Sequence, residues 1–102
     1  MLQFYFYVPE SHLEQVKEAV FDAGAGRIGD YEACCWQTLG KGQFRPGDAA
    51  NPFIGRKGEL ETVEEWRVEM VLPETLREEV LQAFRRAHPY EEPAYGFIAI
   101  ET

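Results

Sequence analysis

The sequence is short of cysteine, histidine and basic residues, and each shortage excludes something. Its two cysteines are neighbours, Cys34 and Cys35. Adjacent residues on a strand point to opposite faces, so a bridge between them is strained; reduced thiols and a cytoplasmic location are expected. The two histidines, His12 and His88, lie far apart in the chain, which leaves little for a transition-metal site, and no metal or cofactor is expected. Lys and Arg number 10 against 18 Asp and Glu, a net charge of −8. Such a chain repels phosphate backbones and anionic membranes, so no nucleic-acid or membrane partner is expected. No apolar run approaches the roughly 20 residues of a membrane helix, and no basic start precedes a greasy stretch, so no secretory leader is expected.

What is present suits one globular domain over residues 1–102, because a second would leave neither half enough core. "LQFYFYV" (2–8) alternates: Leu2, Phe4, Phe6 and Val8 share one face, Gln3, Tyr5 and Tyr7 the other. Pro9 ends this strand. Ser11 with Glu14 offers a capping box, Leu13, Val16, Val20 and Ala23 follow at helical spacing, and Gly24 suits the C′ position. "YEACCWQTL" (31–39) is strand-like in content but alternates poorly. Residues 61–72 return to period two, with Trp66, Val68, Met70 and Leu72 on one face. A second helix is expected from near Glu74, with Thr75 and Glu78 as a capping pair and Leu76, Val80, Phe84 and Ala87 as its buried stripe. His88 precedes Pro89 and should stop it. "AYGFIAI" (94–100) makes the last strand.

The order β-α-β-β-α-β predicts an α+β, ferredoxin-like fold, a four-stranded antiparallel sheet with both helices on one face. The other face carries Tyr5 and Tyr7, joined by either Tyr95 and Phe97 or Ile98 and Ile100, and by Trp36 or Trp66. An aromatic open face suits a binding surface. An RNA-recognition motif has this geometry, but the acidic charge and the missing basic-aromatic pattern oppose it. Self-association is the favoured reading; the bland alternative folds the long loop back over the sheet of a monomer.

Residues 40–59 hold five glycines and two prolines without helical or strand period. They are expected to form a long loop or an extra hairpin turning at Pro46-Gly47. Phe44, Phe53 and Ile54 are too apolar for solvent and should dock on something. Arg45, Arg56 and Lys57, with nearby glycine amides, suit an anion. In "AHPYEEPAY", His88, Glu91 and Glu92 fit a metal site or acid–base chemistry; the structural alternative is a helix stop at Pro89 and a strand start at Pro93, with Tyr90 and Tyr95 packing.

"GAGRIGDYEAC", "GQFRPGDAANPFIG", "GELETVEEWRVEMVLP" and "AHPYEEPAYGF" together resemble the YqfO-like domain of the Nif-three family, over nearly all of the chain. The family's usual ending is "HPYEEPAYD", where this chain has Gly96. Longer members carry the module between two halves of a metal-binding protein, whose dimetal ligands come from those halves. The module is similar in fold to the trimeric CutA and PII proteins. The resemblance therefore implies a standalone copy forming a homo-oligomer, trimer or dimer, with a sensing or regulatory role and no catalytic residues. The alternative is a metal-dependent hydrolase using His88, Glu91 and Glu92. A sensing role predicts a cleft at a subunit edge, with His88, Tyr90, Glu91 and Glu92 on one wall and Arg45, Arg56 and Lys57 on the other, for a small polar or anionic ligand. In the opposing reading these charges pair with each other and fix the loop.

Overall fold

The computed structural model describes all 102 residues. Strand β1 (Leu2–Pro9) passes through a 3-10 turn, Glu10–His12, into helix α1 (Leu13–Asp22). Strands β2 (Trp36–Phe44) and β3 (Glu61–Leu72) follow; a second 3-10 turn, Glu74–Leu76, leads into α2 (Arg77–Ala87), and β4 (Tyr95–Ala99) closes the order. The sheet is antiparallel throughout, in the order β2-β3-β1-β4. This is the ferredoxin-like arrangement expected.

The alternation of β1 builds the core. Phe4 lies opposite Met70 on β3 and Phe97 on β4, and Phe6 opposite Val68 and Tyr95. Phe4 stacks on Phe97 with ring centroids 4.6 Å apart and meets the edge of Phe84 at 5.3 Å. Val16 and Val20 of α1 and Val80 and Phe84 of α2 join them in one apolar cluster, so both helices cover the same sheet face. Tyr95 and Phe97 thus belong to the helix side. Tyr5, Tyr7, Trp36 and Ile98 fall on the open side, Trp36 at 71 % exposure. Trp66 is on the helix side, its Nε1–H donating to the Glu10 carboxylate.

The helix ends differ from expectation. Neither Ser11 nor Thr75 caps a helix through its side chain; a 3-10 turn opens each helix instead, and the Ser11 hydroxyl is engaged with His12 Nδ1 at 2.8 Å. Gly24 does close α1. It takes φ 111°, a left-handed conformation that costs glycine little, and the Ala25 N–H donates to the Val20 carbonyl while the Gly24 N–H donates to that of Phe21, a Schellman closure.

Strand β2 begins and ends five residues later than the expected 31–39. Residues 31–35 are held off the sheet: Tyr31 exchanges backbone hydrogen bonds with Ile28, and Ala33 sits at φ 57°. No extra hairpin forms beyond Phe44. The chain from 45 to 60 is a loop, tied across its base by the Gly58 N–H on the Pro46 carbonyl at 2.7 Å. At the opposite end of the sheet the Ile100 N–H donates to the Met1 carbonyl at 3.1 Å. No helix is long and apolar enough to cross a membrane.

Candidate functional site

The open face carries its own polar and aromatic layer. Tyr5 lies opposite Glu69 and Gly96, and Tyr7 opposite Arg67. The Arg67 guanidinium stands 4.4 Å from the Tyr5 ring centroid, donates to the Tyr7 hydroxyl at 2.6 Å and reaches Glu69 at 3.5 Å. A β-carbon at position 96 would collide with the Tyr5 ring. Gly96 thus gives that ring its room.

Over part of this layer the loop 45–60 and the segment after α2 rise as facing walls. They enclose a groove of about 700 Å³, floored by Tyr7, Thr38, Gly40, Gly42, Glu65 and Arg67. Small-molecule sites commonly span about 300–1,000 Å³. Phe44 and Phe53 dock on Tyr90, with centroids 6.4 and 6.3 Å from its ring, and the Asn51 N–H donates to Glu91 Oε1 at 3.0 Å. The loop therefore lies over the open face of its own sheet. Phe53, still 53 % exposed, also meets His12 edge-on.

Four of the seven residues singled out from sequence, Arg45, Tyr90, Glu91 and Glu92, line this groove within one chain. Arg56 and Lys57 do not; they are exposed at a turn on the loop's return limb, where the Glu59 N–H meets the Arg56 carbonyl. His88 does not face the groove either. It is 6 % exposed, packed edge-on against Phe84 and Tyr90. Its Nε2 lies 2.7 Å from the Tyr7 carbonyl and its Nδ1 3.1 Å from the Tyr90 N–H. The carbonyl only accepts and the N–H only donates, so the ring is held neutral with its proton on Nε2. Burial lowers its pKa below the usual 6.5, with His12 adding to that and the Tyr7 bond opposing it. With both nitrogens committed to backbone, His88 is not free to join Glu91 and Glu92 around a metal, and no group of three His, Cys, Asp or Glu side chains converges as a metal site.

The expected pairing of charges between the walls is also absent. The ion pairs are Lys17–Glu14, Arg67–Glu69 and Arg77–Glu78, and Arg45, Glu91 and Glu92 take part in none. The Tyr90 hydroxyl is buried without a hydrogen-bond partner. Burial raises its pKa, and the nearby Glu65 carboxylate, short of good hydrogen-bonding geometry, raises it further.

Of the floor residues, Tyr7 is the one the sequence places on an aromatic open face; Glu65 and Arg67 were not singled out. The period-two pattern of 61–72 put Glu65 and Arg67 on one face, which was the available signal. Their meeting with Gly42 and Tyr90 depends on strand register and on the path of the loop.

No family model matches the chain. Its relatives include the GTP cyclohydrolase 1 type 2 homologs of Mycobacterium tuberculosis, 54% identical over 94 residues (92% of this chain, 25% of the relative), and of Bacillus subtilis, 47% identical over 95 residues (93% and 26%). Among solved structures, a Bacillus cereus protein related to NIF3 superposes with a TM-score of 0.85 at 39% identity, over 99% of this chain and 26% of that one. In sequence and fold the chain matches one stretch of these YqfO/NIF3-family proteins. The chain spans about a quarter of the length of the curated relatives it matches. Its fold is also that of the PII-like protein CutA from Nostoc sp. PCC 7120, with a TM-score of 0.70 at 20% identity, over 99% of this domain and 82% of that chain.

Proposed function

We propose that this domain is a cytoplasmic, non-catalytic binding module that acts as a homo-oligomer, dimer or trimer, in a regulatory or sensing role. Its groove takes a small polar molecule, with Arg45 receiving any anionic group that the ligand carries. The observation that carries the reading is the groove itself: a walled space of about 700 Å³ over the open sheet face, lined by four aromatic rings and by an Arg45 that makes no ion pair. A charge whose only role was to fix the loop would be paired with Glu91 or Glu92, and exposed pairs of that kind contribute only about 0–1 kcal/mol.

Self-association is supported by apolar side chains left outside the core, Trp36, Leu39, Leu60 and Ile98, all between 46 % and 71 % exposed. A specific interface of about 800 Å² per partner would cover such a surface. Light scattering at micromolar concentration should give two or three chain masses; a monomer removes that part of the proposal. For the groove, a thermal-shift screen of charged and polar metabolites should return stabilising compounds. Anionic hits should lose their effect in Arg45→Ala while oligomer mass stays unchanged. An empty screen, beside an Arg45→Ala protein that dissociates, would leave Arg45 a structural residue.

A further inference from the structure

The groove floor carries a carboxylate that nothing in the chain neutralises. Glu65 lies on the open face opposite Gly40, and its carboxylate lies over Gly42, in the space a β-carbon there would need. It takes part in none of the ion pairs. Beside it is the buried Tyr90 hydroxyl, which has the Glu65 carboxylate as its neighbouring acceptor and no partner within full hydrogen-bond geometry. Arg67, the nearest cation on the floor by strand register, is already engaged by the Tyr7 hydroxyl, by Glu69 and by the Tyr5 ring. Glu91 and Glu92 add two more carboxylates to the lining, against two cations outside the ion pairs, Arg45 and Lys41; Lys41 lies opposite Glu64, so strand alternation directs its side chain to the other face from Glu65. Aromatic faces at Phe44, Phe53 and Tyr90 close the space.

A half-buried carboxylate without a cationic partner is costly and becomes favourable when a cation reaches it. Aromatic faces carry negative charge density and attract the same kind of group. Resting on the reading of the groove as a small-ligand site, we propose that its ligand is an organic cation, an ammonium, amidinium or guanidinium on an apolar body. Its N–H groups donate to the Glu65 carboxylate and to the Tyr90 hydroxyl oxygen, and its body lies against Phe44 and Phe53. An anionic group elsewhere on the same molecule is compatible with this and would meet Arg45.

The test is calorimetric titration of the full chain at low salt with phenethylamine and benzamidine, and with phenylacetate as an anion of similar shape. The cations should bind at one site per chain and phenylacetate should not. Glu65→Gln keeps the shape and removes the charge, and should weaken cation binding about tenfold or more. Phe53→Ala, at a position 53 % exposed and outside the core cluster, should weaken it about threefold or more. Phenylacetate binding as well as the amines, or unchanged amine affinity in both variants, would overturn the proposal. If no amine binds but screened anions stabilise the protein through Arg45, the cation assignment fails and the groove remains a ligand site. If neither class binds, both readings fail.

Discussion

His88 acts as a clamp between two distant backbone groups, the Tyr7 carbonyl and the Tyr90 N–H. Only the neutral ring can accept from Tyr90, and burial is the main reason its pKa lies below 6.5. The unfolded chain takes up this proton near pH 6.5 and the folded chain resists it. The clamp's contribution is therefore complete above that pH, falls as pH drops below it, and levels off under the folded-state pKa. His88→Leu should cost about 1–3 kcal/mol at pH 7.5, because it leaves two buried backbone groups without partners. Melting curves of the two proteins from pH 7.5 to 5 should converge; parallel curves would show that His88 stays uncharged in both states or contributes nothing. The sequence did reveal the helix stop. A residue before proline is pushed out of the helical region, and His88 has ψ 134°. It did not reveal the direction of the ring, because the partner carbonyl lies 81 residues away. The motif that read as a candidate ligand set thus divides, His88 turning into the core while Tyr90, Glu91 and Glu92 line the groove.

Among the elements, the loop 45–60 has the most to do with the site and the fewest bonds to hold it. Its side-chain tie to the far wall is the single acceptor Glu91 Oε1 on the Asn51 N–H, backed by the contacts of Phe44 and Phe53 with Tyr90. Glu91→Ala should leave global stability within about 0.5 kcal/mol, as surface changes usually do. The Asn51 amide should nonetheless exchange with deuterium several-fold faster while core amides of β1 keep their protection. Equal acceleration in β1, or none at Asn51, would mean that the tie does not hold the loop. Legibility differed between neighbouring strands for a physical reason. Strand β3 is central, so one of its faces is buried and the alternation over Glu61–Leu72 is clear. Strand β2 lies at the sheet edge with no buried residue. It has no alternation to read, and its position is set by pairing with β3.

At the scale of the whole molecule, the β2–β3 hairpin reaches past the end of β1, since Glu61–Glu64 pair with β2 alone. The chain measures 46 × 24 × 23 Å with a radius of gyration of 14.4 Å, against about 13 Å for a compact chain of this size. The fold class was legible because each covered face has its own period, two in β1 and β3 and near four in both helices. That the loop covers its own sheet was not, since Phe44, Phe53 and Ile54 would suit a neighbour's surface equally well. The hydrogen bond from Ile100 to Met1 has a consequence of another kind. The chain enters and leaves this fold through one doorway, on adjacent strands β1 and β4. Such a body can hang from a host surface like a pendant, with the host's backbone interrupted but barely displaced. The doorway can also be sealed and another opened. A permutant that joins Thr102 to Met1 through a short glycine linker and is cut between Gly29 and Asp30, both exposed, should fold with the wild-type circular dichroism spectrum and keep its groove ligand. Loss of the fold would show that the free ends are needed to assemble the sheet.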